Sequence, residues 1–241
     1  MAITRPSVYG DGTYLKANPD WHVGDSPWKA QQVLHMLRRH QMNPGTVCEV
    51  GCGAGEILHR LQLQLPADVE LHGYEISPDA FRLCSTRANE RLHFHFGDLT
   101  VLQVERFDLL LMIDVIEHVE NCFGFLRALR AKAKYLIAHI PLDLTVHSLL
   151  RNIPMLNRQA LGHIHYFTRD TALALLTETG WTVLDHFYTR NPSGERSVTS
   201  GIRKWCLHFA PDLSARMIAG FSLLVLARSG DGAGDGHTGA Q

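Results

Sequence analysis

The sequence predicts an α/β domain with a mainly parallel sheet, and three observations lead to that prediction. Strand-like and helix-like segments alternate along most of the chain, which is typical of this fold class. The first strand-like segment runs directly into the glycine-rich turn 51–55, and a helix follows it. Residues 107–113 are almost all apolar, as expected of a central parallel strand that helices cover on both faces.

The elements can be assigned in order from their periodicity and from the residues that begin and end them. Apolar residues at helical spacing predict a first helix over residues 28–40, which Asn43-Pro44-Gly45 separates from the first strand. Ser77-Pro78 and Thr168 are typical of helix starts, and Gly180 is typical of a helix end. Further helices are predicted over residues 56–63, from 78 onward, over 119–133 and over 168–179. Seven strands are predicted, at residues 46–50, 69–74, 92–96, 107–113, 135–140, 181–188 and 221–228.

The composition indicates one globular domain of ordinary charge. The 241 residues are 45% hydrophobic and carry a formal net charge of −1, so no global field attracts nucleic acid or an anionic membrane, although a local basic patch stays open. The longest apolar runs fall far short of the roughly 20 residues that a membrane-spanning helix needs. With no signal-peptide pattern and five unclustered cysteines, we expect a cytoplasmic protein with free thiols and no membrane span.

Four segments are expected to differ in role. Residues 1–27 form an amino-terminal extension, residues 28–228 form the folded domain, and the glycine-rich residues 229–241 form a disordered tail. Within the domain, the long connections 142–165 and 189–219 are predicted to cap the edge of the sheet as lids over a ligand. Trp28 either covers the ligand or anchors the first helix.

The glycine turn is the most informative motif. Gly51, Gly53 and Gly55 carry no side chain that would keep the backbone away from a ligand. Dinucleotide-binding turns follow the spacing G-x-G-x-x-G, whereas Glu56 occupies the last glycine position here. A pyrophosphate ligand is therefore disfavoured.

Acidic residues accompany the ends of the first three predicted strands. Glu49 precedes the turn, Glu75 ends the second strand and Asp98 follows the third. Ligands of open α/β sheets bind in the crevice at the carboxyl ends of the strands, and an acid at the position of Glu75 can accept hydrogen bonds from ribose hydroxyls. The set predicts a nucleoside-sized site without a phosphate-binding lysine.

These motifs resemble those of the class I S-adenosylmethionine-dependent methyltransferases, in particular the subgroup that includes the ubiquinone-biosynthesis O-methyltransferases. The similar stretches are residues 47–55, 73–77, 96–99, 107–119 and 165–168. The resemblance implies a Rossmann-like sheet of seven strands, mainly parallel with the last strand antiparallel, and helices on both faces. It also implies that S-adenosylmethionine is the cofactor and that it is bound by Glu49, Gly51, Gly53, Gly55, Glu75, Ile76, Asp98, Leu99 and Asp114.

Glu117, His118 and His139 are the predicted catalytic residues. A hydroxyl acceptor must lose a proton or be stabilised as an anion, and histidine can do either near neutral pH. Glu117 and His118 follow the central strand, and His139 lies near the end of the fifth strand. The alternative for each is structural, as a helix-opening acid or a hydrogen-bonded core histidine.

A divalent metal is the other chemistry to consider. Asp114, Glu117 and His118 resemble the E-x-x-E-H group that holds a metal in some ubiquinone-pathway O-methyltransferases and in small-RNA 2′-O-methyltransferases, with Asp114 replacing the first Glu. His163 or His165 would complete a ligand set suited to Mg²⁺, Mn²⁺ or Zn²⁺. A polar lid containing these two histidines explains the same residues, and the metal is not the favoured interpretation.

The predicted function is methyl transfer to a small-molecule acceptor, at a hydroxyl oxygen of a phenol, a quinone precursor or a sugar. The turn 114–117 lacks the Asn/Asp-Pro-Pro-aromatic pattern of enzymes that methylate base amines. Two alternatives stay open, an RNA 2′-O-methyltransferase with a metal site and a non-catalytic cofactor-binding scaffold. The near-neutral charge disfavours nucleic acid as a partner.

Overall fold

The computed structural model describes residues 23–190 and 210–230, so most of the predicted extension, part of the second lid segment and the tail lie outside the described residues. Seven strands are present in this part of the chain. They are β1 (Thr46–Val50), β2 (Glu70–Glu75), β3 (Leu92–Phe96), β4 (Phe107–Ile113), β5 (Ala133–Pro141), β6 (Trp181–Thr189) and β7 (Ser222–Ser229).

The strands form one sheet in the order β3-β2-β1-β4-β5-β7-β6. The pairs among β1 to β5 are parallel, whereas β7 runs antiparallel to both of its neighbours. The predicted mainly parallel sheet of seven strands, with the last one antiparallel, is confirmed. Its strand order reverses at β1, where a crevice for a ligand is expected.

Eight α-helices surround the sheet within the described residues. They are α1 (Ser26–Arg39), α2 (Glu56–Gln62), α3 (Pro78–Ser85), α4 (Cys122–Arg130), α5 (Val146–Leu150), α6 (Ile153–Ala160), α7 (Arg169–Glu178) and α8 (Pro211–Met217). Short 3-10 turns cover Val23–Asp25 and Ile116–His118.

Several element boundaries differ from the predicted ones by up to three residues, and three of them illustrate this. Helix α1 begins at Ser26, two residues earlier than predicted, with Asp25 as its N-cap residue. Helix α4 begins three residues later than predicted because the Asn121 side chain accepts a hydrogen bond from the Gly124 amide and caps it there. Strand β7 includes Ser229, which the sequence places in the tail.

The apolar run of β4 is explained by burial on both faces of the sheet. Leu110 and Met112 pack into one core layer, and Leu109 and Leu111 pack into the other, each without solvent exposure. Each such side chain contributes about 1.5–3 kcal/mol of apolar burial. No helix in the described ranges is long and apolar enough to cross a membrane.

Candidate functional site at the carboxyl edge of the sheet

The glycine turn between β1 and α2 requires glycine at its first and last positions. Gly51, Gly53 and Gly55 have φ angles of +65°, +55° and +75°, which side chains disfavour. A Cβ atom on Gly51 would lie 2.9 Å from the Val115 side chain, and one on Gly55 would lie 2.5 Å from Phe94. The neighbouring side chains therefore leave no room for a side chain at Gly51 or Gly55. The backbone of the turn is left accessible to a ligand.

Glu75, the last residue of β2, holds this turn in place. Its Oε2 accepts a hydrogen bond from the Gly53 amide at 2.8 Å, and its Oε1 accepts from the amides of Ile76 and Ser77. Burial raises the pKa of this carboxyl, and the three amide bonds offset part of that rise. The predicted proximity of Glu75 and the glycine turn is what the structure shows.

Glu49 lies on the other side of the turn, inside β1. The side chain is buried, and its Oε2 atom has no hydrogen-bond partner among the described residues. Burial raises the pKa of Glu49 well above its usual value, and the Lys29 ammonium partly opposes this rise. A buried acceptor with no partner is costly, so this oxygen is a candidate for a hydrogen bond from a ligand.

The end of β3 offers one exposed and one buried residue. The Asp98 carboxylate is exposed and accepts hydrogen bonds from the amide and the hydroxyl of Thr100. Leu99 is fully buried in the core, whereas the Ile76 side chain beyond β2 is 59% exposed. Of the predicted cofactor-binding residues after β2 and β3, Ile76 and Asp98 thus present side chains to solvent at this edge.

Asp114 belongs to a network of four side chains that are far apart in the sequence. It accepts from Lys29 Nζ at 2.7 Å and contacts His139 Nδ1 at 2.6 Å. The other ring nitrogen of His139 lies 2.9 Å from the Thr189 hydroxyl. Burial alone would raise the pKa of Asp114, but His139 and Lys29 outweigh burial and hold it well below its usual range.

This network defines what its members can do. His139 is buried and both of its ring nitrogens are engaged, so its hydrogen bonds suit it to positioning other groups. The ring of Trp28 meets His139 edge-on, with 5.8 Å between centroids, and this contact ties α1 to the sheet edge. Both proposed roles of Trp28, as an anchor and as a cover, are compatible with this position.

A second group collects after β4. Glu117, His118 and His163 are the only His, Cys, Asp or Glu side chains of the described residues whose potential ligand atoms lie within 4.8 Å of one another in a set of three. Glu117 is buried, and neither of its carboxylate oxygens has a hydrogen-bond partner among the described residues. Burial, and after it the Asp114 charge, raises the pKa of Glu117 well above its usual value. One carboxylate and two imidazoles form a donor set that fits a divalent transition metal.

The membership of this group differs from the sequence expectation in two respects. Asp114 is engaged by Lys29 and His139 instead, and His165 Nε2 lies 2.9 Å from the Val119 carbonyl oxygen, away from the group. His163 is held by its Nδ1, 2.7 Å from the Asp143 carboxylate. Of the two histidines offered as ligands, the structure brings in only His163.

Three contributors were missed by the sequence analysis. Lys29 and Thr189 reach the site from α1 and from the end of β6, and no local motif marks them. Asp143 had a signal that could have found it, because it follows the end of β5 much as Asp98 and Asp114 follow β3 and β4.

Comparison with known proteins identifies the class. A family model described as "Methyltransferase domain" matches residues 28–186. The chain therefore belongs to this methyltransferase domain family. No curated protein matches the sequence significantly.

Solved structures share the fold at low sequence identity. One is in a complex between the Haloferax volcanii Trm112 methyltransferase activator and a putative methyltransferase, at 14% identity and TM-score 0.64, with 91% of this chain and 95% of that chain covered. Magnesium protoporphyrin IX methyltransferase (ChlM) from Synechocystis, with bound S-adenosylhomocysteine, aligns at 19% identity and TM-score 0.58 over 92% and 91%.

The N-methyltransferase NodS from Bradyrhizobium japonicum, also in complex with S-adenosylhomocysteine, is 16% identical with a TM-score of 0.58 over 91% of this chain and 99% of that one. At these identities the likeness shows the fold. It agrees with the class I methyltransferase architecture expected from the motifs.

Proposed function

We propose that this protein is an S-adenosylmethionine-dependent methyltransferase that methylates a hydroxyl oxygen of a small molecule, of the phenol, quinone-precursor or sugar type. The observation that carries the proposal is the hydrogen bond from the Gly53 amide to the Glu75 carboxylate, which joins the glycine turn to an acid at the strand end. Family membership and two similar structures that hold S-adenosylhomocysteine support the same cofactor.

The residues at the sheet edge fit this cofactor. The unpartnered Oε2 of Glu49 can accept a hydrogen bond from the ammonium group of the methionine part, and Glu75 Oε2 retains a lone pair for a ribose hydroxyl. The exposed Ile76 side chain offers an apolar face for adenine, and Asp98 an acceptor for its amino group. When bound, S-adenosylmethionine supplies an electrophilic methyl group.

Removing the acceptor proton is the task left to the side chains. His118 Nδ1 lies 3.3 Å from the Gly162 carbonyl oxygen, and a proton on that nitrogen leaves Nε2 as the base. Glu117 Oε1 lies 3.9 Å from His118 Nε2, so the imidazolium that forms would in turn favour the ionised form of Glu117. His139 lies between Asp114 and Thr189 and positions these two side chains through its hydrogen bonds. It is not needed as the base.

Binding of S-adenosylhomocysteine tests the proposal directly. Isothermal titration should give a micromolar dissociation constant, or about −8 kcal/mol. Gly53→Val should abolish binding, because its side chain would occupy the face of the turn that meets the ligand, while circular dichroism checks that the variant folds. Absence of binding to the folded wild-type protein would overturn the proposal.

Turnover separates the catalytic proposal from a cofactor-binding scaffold. With a panel of phenols, quinone precursors and sugars and labelled S-adenosylmethionine, His118→Ala should lower kcat far more than it weakens cofactor binding. Equal losses in both quantities would assign His118 a structural role. Binding without turnover on any acceptor, RNA included, would favour the scaffold.

A further inference from the structure

Exposed apolar side chains concentrate on three neighbouring helices that the proposed reaction does not use. Helix α5 packs against both α6 and α8. Seven of the thirteen exposed large apolar side chains among the described residues lie on these three helices, which we call the lid surface: Val146, Leu149, Leu150, Met155, Leu156, Leu213 and Met217. Leu150 is 82% exposed and Leu149 is 58% exposed. Such concentration on a small area marks an interaction surface.

On the two lid helices that follow β5, single polar side chains turn toward the protein while several apolar side chains are exposed. Ser148 on α5 is fully buried, and its hydroxyl donates to the Asp143 carbonyl oxygen. Asn157 on α6 donates to the Asp143 carboxylate at 3.0 Å. Surface helices of a globular protein normally show the reverse pattern, so these leucines are not left over from core packing.

The charge of this part of the chain is positive. Residues 144–169 contain no Asp or Glu but include three arginines, although the whole chain has a net charge of −1. Arg169 pairs with Asp170 and Asp212. Arg151 and Arg158 are exposed beside the apolar residues, and within the described part of the chain no carboxylate lies within ion-pair distance of either.

We propose that the lid surface binds the surface of a membrane that contains anionic lipids. Exposed leucine and methionine side chains would enter the boundary between headgroups and acyl chains, and Arg151 and Arg158 would lie at the level of the lipid phosphates. A protein partner would be expected to offer carboxylates at fixed positions. The two arginines beside the apolar residues of the lid surface need only a negatively charged headgroup layer over an apolar interior. The proposal does not depend on methyl transfer.

Co-sedimentation with vesicles tests it. The full chain should bind vesicles of phosphatidylcholine with 30% phosphatidylglycerol and bind phosphatidylcholine alone about tenfold more weakly, and high salt should remove this difference. The double variant Leu149→Gln/Leu150→Gln should lower the partition coefficient about tenfold. Arg151→Gln/Arg158→Gln should remove the preference for phosphatidylglycerol while leaving the apolar surface intact.

The matched control is Leu63→Gln/Leu184→Gln, which replaces two exposed leucines outside the lid surface and should leave vesicle binding unchanged. All variants change exposed residues, and thermal unfolding verifies that they fold. Equal loss in the lid and control variants, or no binding of the wild-type protein to either vesicle, would overturn the proposal. So would a lid variant that leaves vesicle binding intact and instead abolishes dimers in analytical ultracentrifugation, because the occupant would then be a second copy of the chain.

Discussion

Glu75→Gln probes the link between the glycine turn and the strand end. The carboxylate accepts two amides on Oε1 and the Gly53 amide on Oε2. Glutamine can keep an acceptor for the first two, but its NH₂ group then faces the Gly53 N–H, so one donor meets another. Hydrogen bonds to a charged group are worth about 1.5–3 kcal/mol each, and relief of burying the charge offsets part of the loss.

We expect the free energy of unfolding to fall by about 2 kcal/mol, which corresponds to roughly 4–8 °C in Tm for a chain of this size. The affinity for S-adenosylhomocysteine should fall about 10- to 100-fold, because the turn and the ribose acceptor are both altered. Differential scanning calorimetry and isothermal titration measure the two quantities separately.

Glu70→Gln is the matched control for this variant. Glu70 begins the same strand, but its side chain is 46% exposed and forms an ion pair with the half-buried His93 ring. It should change Tm by less than about 1 °C and leave affinity unchanged. A folded Glu75→Gln protein that binds S-adenosylhomocysteine within twofold of the wild type would refute the assigned role of Glu75.

Glu117→Gln should stabilise the protein at pH 9 by about 1–3 kcal/mol, since it removes an unpaired buried carboxylate. Because the pKa of Glu117 is raised in the folded state, the stability of the wild type falls as the pH rises through that pKa. The stability advantage of the variant should therefore shrink toward pH 5 in urea titrations. A difference that stays constant with pH would contradict this explanation. After EDTA treatment, Zn²⁺ or Mn²⁺ at a hundredfold excess over Kd should stabilise the wild type and His165→Ala by about 2.7 kcal/mol, but not His163→Ala. Equal stabilisation of all three proteins would exclude the three-residue group as the metal site. Burial, with neighbouring imidazoles, lowers the pKa values of His72 and His95, so the unfolded chain binds more protons and Tm should drop as pH falls below about 6.5; His95→Phe should reduce that drop.

The strand ends were predictable because local sequence determines them. An apolar run predicts the strand, and the polar residue at or after its end lies at the edge of the sheet. The sequence alone therefore places Glu75, Asp98 and Asp114 at this edge. The glycines at positions 51 and 55 likewise fit a turn that packs against Val115 after β4 and against Phe94 of β3.

Contacts between distant segments were not predictable in the same way. Lys29 precedes its partner Asp114 by 85 positions, and periodicity reveals that α1 has a buried face without revealing which strand end that face meets. The exclusion of His165 from the group around Glu117 has the same cause. Only the path of the 162–165 segment, whose Ile164 amide donates to the Glu117 carbonyl oxygen, decides which of the two histidines turns inward.

The left-handed backbone at Asp114, with φ of +54°, constrains which residues can replace it. Asparagine, aspartate and glycine adopt this conformation most readily, whereas a longer side chain gains nothing that offsets the strain. The metal-binding group that this segment resembles has glutamate at this position. Of the two acids, aspartate adopts the left-handed conformation more readily. A library of all amino acids at position 114, selected for folded protein, should be depleted of β-branched residues, which tolerate this conformation least.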